Sequence, residues 1–284
     1  MASQLRGTVV GLLRGFSGSS IDIVRDEGIT FVRKFVKDKQ RLAAEIMKMH
    51  RLQSLSGPLF DAPTIWTEAE GYYELEYIRG VTLEERLQTC SMVEVEEWAV
   101  RCADIVLQLR CQPGTVSQDE FDCLSFYLHL RACQYPFLKE VLAFAELLNT
   151  SSSFSHGDLT LDNILVTPDD ELFLVDPSSH KFDTFQWDVA KLLQSCYTDW
   201  WEIRGAPVDR SRRLRLFCKL LVSQFLPGVD LRTSAFYLAV ALLRIVPYAR
   251  SASQKSTLLS KAFVMLDQCL GRRNLFSMEE SRWT

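Results

Sequence analysis

The chain has 284 residues, 47% of them hydrophobic and 24% charged, an ordinary globular composition that excludes disordered and fibrous architectures. With 32 basic against 36 acidic side chains its net charge is −4, which argues against a protein that holds nucleic acid by neutralising phosphates. The length suits one large domain or two lobes sharing a cleft.

The longest apolar stretch, residues 235–246, is interrupted by Arg244 and falls short of the ~20 apolar residues of a membrane span, so it reads as a buried helix and no span is expected. The apolar run at 9–13 is shorter than a signal peptide requires, which points to a cytoplasmic protein. None of the 8 cysteines is spaced as C-x-x-C, so free buried thiols are expected rather than a zinc site.

In chain order, the first ~80 residues read as strands interrupted by one helix. Gly15 to Ser20 connects two apolar segments as a tight turn, and Asp26-Glu27-Gly28 is a second hairpin signal before a strand at 29–36. Leu42, Ile46, Met49 and Leu52 then recur with helical spacing until Gly57-Pro58 ends the pattern. Strands at 64–66 and 72–78 flank Glu70-Gly71, and Thr82 with Glu85 forms a capping box for the next helix.

Beyond Gly80 helical patterns dominate, at 83–90, 92–110, 124–130, 136–148, 187–197, 210–226, 234–249 and 256–269. The exception is central. Ile164-Leu165-Val166 and Leu172-Phe173-Leu174-Val175 flank a turn at Pro168-Asp169-Asp170, a β-hairpin within an α-rich half. The predicted class is α+β, with a small antiparallel-sheet lobe at 1–78 carrying one helix and a larger, mainly helical lobe at 79–284.

The hairpin carries the chemistry-bearing residues. His156-Gly157-Asp158-Leu159 is followed by Asn163 five positions after Asp158, and Asp176 closes the second strand. Hairpin pairing joins the loop ends, so two carboxylates and an amide can face one cleft. These are hard oxygen ligands that suit Mg²⁺ bound jointly with phosphate oxygens.

H-G-D-L-x-x-x-N-I-L followed by V-D-P resembles the catalytic centre of the aminoglycoside phosphotransferase and choline kinase group, small-molecule kinases with a bilobal protein-kinase-like fold. The resemblance implies that Asp158 accepts or orients the proton of a substrate hydroxyl, while Asn163 and Asp176 hold Mg²⁺ against the phosphates of ATP. Gly15 to Ser20, with Gly15, Ser17, Gly18 and Ser19, resembles the connection whose backbone amides cover the phosphates. Lys34 matches the strand lysine that contacts phosphate, with Glu45 as its ion-pair partner. Arg33 competes for that role, and strand alternation decides for Lys34 if Phe31, Arg33 and Phe35 share one face. Residues 73–83 resemble the strand and hinge where backbone groups near Glu76 and Ile78 meet adenine. The same pattern implies that His156 braces the loop and Asp188 tethers its backbone.

Only twelve positions separate Asp176 from Asp188, and no Ala-Pro-Glu follows, which leaves no platform for a peptide. The expected activity is therefore ATP- and Mg²⁺-dependent transfer of the γ-phosphoryl group to a hydroxyl of a small molecule, a sugar or sugar derivative first. An aminoglycoside or amino-alcohol kinase and a non-catalytic nucleotide-binding scaffold are the alternatives. Ser178, Ser179, His180, Lys181 and Asp183 are expected to shape the acceptor pocket, while core packing is the expectation for most of Tyr197, Trp200 and Trp201, with stacking on a sugar or a cation as the alternative.

Overall fold

The computed structural model describes residues 5–14, 19–114, 135, 137–146, 148, 153–178, 183–197, 211–225, 229–249 and 251–272. The chain forms two compact units, Met1–Arg86 with Asp162–His180, and Leu87–Leu161 with Lys181–Thr284.

The first unit is built on an antiparallel sheet of β1 (Thr8–Arg14), β2 (Ser20–Asp26), β3 (Ile29–Phe35), β4 (Ile65–Ala69) and β5 (Tyr72–Glu76), in the order β1-β2-β3-β5-β4. The β2–β3 turn is the expected Glu27-Gly28, both residues with positive φ (48° and 86°). Helix α1 (Lys39–Leu55) follows β3, and Asp38 caps it by accepting from the Arg41 amide at 2.8 Å. Its inward face carries Leu42, Glu45, Met49 and Leu52; Phe60, Tyr73 and Leu75 are buried as well, and Phe31 is buried on the opposite face of the sheet from Tyr73.

A second, three-stranded sheet joins β6 (Val81–Thr82) to the central hairpin, β7 (Ile164–Val166) and β8 (Leu172–Leu174). Gly80 is required beside it, because a Cβ there would stand 2.5 Å from the Val166 carbonyl oxygen. Thr82 and Glu85 close the expected capping box at the start of α2 (Leu83–Thr89), with the Thr82 amide donating to Glu85 at 2.9 Å.

The described residues of the second unit include the helices α3 (Met92–Arg110), α4 (Leu138–Glu146), α5 (Phe185–Tyr197), α6 (Ser211–Phe225), α7 (Leu231–Ile245) and α8 (Ala252–Cys269), with the Asp158 loop outside them. Helix α8 packs along α7, α6 along α3, and α5 against both α6 and α7. The sequence places the starts of α7 and α8 three or four residues late, because their caps are polar side chains outside the apolar period. Asp230 accepts from the Arg232 amide at 2.9 Å, and Ser251 from the Gln254 amide at 3.1 Å.

Pro247 cannot continue α7, which ends in a 3₁₀ turn at Val246–Tyr248. The stretch Leu231–Tyr248 is long and apolar enough by composition to cross a membrane, but 61% of it is buried within the protein. Its residues from Thr233 to Leu243 are all core, as a buried helix demands. The helix expected at 124–130 lies outside the described residues.

Candidate active site

In the first unit, β3 alternation places two buried cations on opposite faces of the sheet. Arg33 pairs in register with Glu74 and donates to its Oε1 through Nε (3.0 Å) and Nη2 (2.7 Å). Its guanidinium also stacks near Phe31 and Tyr72, so Phe31, Arg33 and Phe35 form one face, as expected. Lys34 points to the other face. Its Nζ donates to Glu45 Oε2 of α1 at 2.7 Å and to Asp176 Oδ1 beyond β8.

Burial alone would lower the pKa of Lys34, but the charge of Asp176, the Tyr73 hydroxyl and the charge of Glu45 raise it to a net value well above the usual lysine range. The ammonium is therefore permanent at any working pH. Tyr73, opposite Lys34 in register, donates to Glu45 Oε2 at 3.3 Å, and burial pushes its phenol upward, so it stays a donor. Arg41 holds the other Glu45 oxygen, Nε to Oε1 at 2.7 Å, and donates to Ser19 Oγ at 3.2 Å. The sequence reading missed Arg41, although its spacing of four from Glu45 on one helix face was the available signal.

The hairpin ends meet where expected, with the Val175 amide donating to the Asn163 carbonyl at 3.0 Å. The next residue, Asp176, has φ 57°, a left-handed conformation that costs a non-glycine residue of order 1–3 kcal/mol. Its side chain is 34% exposed although its partner Lys34 is only 3% exposed. Glu76 keeps its amide and its carboxylate on Thr64, so only other backbone atoms of this segment could meet a base. Ile78 is half-buried in the irregular segment after β5. Gly15, Ser17 and Gly18 lie outside the described residues.

In the second unit, α5 organises the loop that carries Asp158. The fully buried Asp188 accepts from the amides of His156 (2.7 Å, Oδ2) and Gly157 (2.8 Å, Oδ1). Trp187 donates its Nε1 to the Gly157 carbonyl at 2.7 Å, and Gly157 takes φ 82°. The Asp158 amide donates to His156 Nδ1 at 3.3 Å, and the Asp158 carbonyl accepts from Thr160 at 2.7 Å. His156 and Asp188 thus hold the loop backbone in the manner the sequence suggested.

Lys191 was not singled out by the sequence reading. It lies one helical turn after Asp188, and its Nζ is 2.8 Å from Asp158 Oδ1. Asp183 departs from expectation. Instead of lining a pocket it is buried and accepts from Ser155 Oγ at 2.9 Å. Arg244 lies over the Trp187 ring, 5.6 Å from its centroid. Ser179, His180, Lys181, Trp200, Trp201 and the side chain of Tyr197 lie outside the described residues.

The donor set suits Mg²⁺. Among the described residues no group of three or more His, Cys, Asp or Glu side chains is placed to hold a metal. Asn163 and the part-exposed Asp176 are hard donors at the joined ends of one hairpin, and Mg²⁺ characteristically takes one or two protein oxygens and completes its shell with phosphate and water.

Comparison with known proteins fixes the fold. No protein-family model matches the chain, and no curated protein matches it in sequence. Among solved structures, a thermostable mutant of aminoglycoside phosphotransferase APH(4)-Ia in ternary complex with AMP-PNP and hygromycin B matches with a TM-score of 0.67 at 13% identity, covering 94% of this chain and 96% of that one. A putative fructosamine-3-kinase from Haemophilus somnus 129PT matches at 0.60 and 15%, covering 92% of each chain. Plasmodium vivax ethanolamine kinase matches at 0.60 and 10%, covering 92% of this chain and 82% of that one. The chain therefore has the protein-kinase-like fold of these small-molecule kinases.

Proposed function

We propose that the protein is an ATP- and Mg²⁺-dependent phosphotransferase that moves the γ-phosphoryl group to a hydroxyl of a small molecule, a sugar or sugar derivative. The observation that carries this reading is the Lys34 ammonium, shared between Glu45 of α1 and Asp176 of the hairpin. A lysine buried only for packing needs one carboxylate; a second that is strained and part-exposed is suited to a ligand. Asp158 and Asn163 are five residues apart, so the chain itself keeps them within ~18 Å even when fully extended.

In this mechanism Asp158 orients the acceptor hydroxyl and takes its proton, and Lys34 holds phosphate oxygens. Asn163 and Asp176 would hold Mg²⁺, which supplies charge neutralisation on the phosphates. No covalent enzyme intermediate is required, because positioning and electrostatics carry most of the acceleration. Two of the matched enzymes are named for sugar-based acceptors, an aminoglycoside and a fructosamine. Lys191 beside Asp158 favours a neutral sugar hydroxyl over a polycation, since it offsets the negative potential a polycation would need.

The test is ADP release with Mg-ATP across sugars, amino-sugars, polyols and amino-alcohols. One acceptor should raise the rate in the wild type, and Asp158→Asn should lower turnover at least ~10²-fold with nucleotide binding retained. Undiminished turnover in Asp158→Asn would remove the base assignment. Lack of Mg-dependent ATP binding in the wild type would remove the kinase reading altogether.

A further inference from the structure

Lys191 is buried to 10% exposure, and besides Asp158 its Nζ donates to Gln194 Oε1 at 2.9 Å. Gln194, 1% exposed, stands one turn further along α5. Desolvating a lysine is costly unless its charge is met, so this placement needs a return. Asp188, Lys191 and Gln194 recur every three residues and form one face of one helix. Asp188 fixes the amides of His156 and Gly157, and Lys191 fixes the carboxylate of the residue that follows them. The backbone and the side chain of the Asp158 segment are thus both set by α5.

We infer that Lys191 is the positioning residue for Asp158, holding its carboxylate in one rotamer for the acceptor hydroxyl. This rests on the kinase reading above. During transfer the acceptor O–H bond breaks and its proton passes to the Asp158 carboxylate. The acceptor oxygen bonds to the γ-phosphorus, and the bond from that phosphorus to the β,γ-bridging oxygen breaks with its electron pair leaving on ADP. A carboxylate free to sample its other rotamers would present the proton acceptor in the wrong place for most of the time.

The experiment uses the full chain, Mg-ATP and an equal mixture of D-glucose, D-galactose, D-glucosamine, ribitol and ethanolamine, with ADP release as the readout. Lys191→Met should lower kcat about 10²-fold, the scale of a small misplacement of a reacting group, with the KM for ATP unchanged. Lys191→Arg, which keeps the charge, should recover most of that loss. In an Asp158→Asn background Lys191→Met should cost nothing further, since residues acting as a unit are not additive.

Wild-type kcat in Lys191→Met, or an equal loss in both backgrounds, would overturn the inference while leaving the kinase reading intact. Undiminished turnover in Asp158→Asn would overturn the inference together with the base assignment, and a wild type without Mg-dependent ATP binding would overturn the kinase reading as well. Urea unfolding checks each variant, and if Lys191→Met does not fold, Lys191→Gln against Lys191→Arg decides in the same way.

Discussion

Arg33 and Lys34 are consecutive residues of one strand, both almost wholly buried and both paired with carboxylates, yet their partners differ. Glu74, opposite Arg33, is only 2% exposed and is also gripped at 2.7 Å by Arg6, whose side chain is 52% exposed, so in that cluster only a cation reaches solvent and the carboxylate does not. Lys34 has an equally buried partner in Glu45, but its other partner, Asp176, is part-exposed and held in a left-handed backbone. A carboxylate buried between two cations fixes register and packing, whereas a part-exposed, strained one keeps capacity for a ligand. Charge and burial alone would not separate the two cations.

The sharpest way to break this contrast is Lys34→Met. On the proposed role it lowers kcat with Mg-ATP by about 10²–10³-fold, as loss of one preorganised electrostatic contact does. A variant that turns over normally would put Lys34 in the same class as Arg33. Since the pKa of Lys34 is raised above its ordinary value, its contribution is full below that value and fades only in strong alkali, so it adds no limb to the pH profile of turnover near neutrality.

Arg33→Met should do the opposite, costing about 1.5–3 kcal/mol in urea unfolding by removing one of the two cations that donate to a buried carboxylate, with unchanged turnover per folded molecule. Reduced turnover of fully folded protein would show that Arg33, like Lys34, serves the site.

Glu74 sharpens the contrast through pH. Burial pushes its carboxyl up, but hydrogen bonds from Arg33, Arg6 and Thr67 more than offset this and hold it below the usual 4.5. A depressed pKa contributes stability that is full above the unfolded value and is lost as pH falls through the folded one. The stability gap between wild type and Glu74→Gln should therefore be constant near neutrality and narrow below pH 4.5. A gap that widens in acid would reverse the assignment. The smallest effect is expected of Tyr73→Phe, which removes one hydrogen bond to Glu45 and should cost about 1 kcal/mol in the same unfolding assay with turnover nearly intact.

Much of this was legible in the sequence because it is local. Glu27-Gly28, Glu70-Gly71 and the Thr82–Glu85 box are turn and cap chemistry, readable over four residues. The strand alternation that separates Arg33 from Lys34 is equally local. The spacing of His156, Asp158, Asn163 and Asp176 carried the fold resemblance that the solved structures bear out.

What escaped depends on contacts across the chain. Lys191 reads as one more helix lysine until Asp188, one turn before it, is known to face the Asp158 loop. Asp183 looked like an exposed pocket residue because nothing local announces that Ser155, 28 positions away, donates to it.

The first compact unit is not one run of chain, since Asp162–His180 completes it after the polypeptide has built part of the second. Strand β6 finds its partner β7 only in that late segment. At synthesis rates of about 5–20 residues per second, residues 1–86 wait several seconds on the ribosome before the hairpin that pairs with Val81–Thr82 is made. During that interval an unpaired strand edge is open to wrong partners. A fragment ending at Arg86 would be left permanently in that state, so completion of the first unit depends on translating through the opening part of the second.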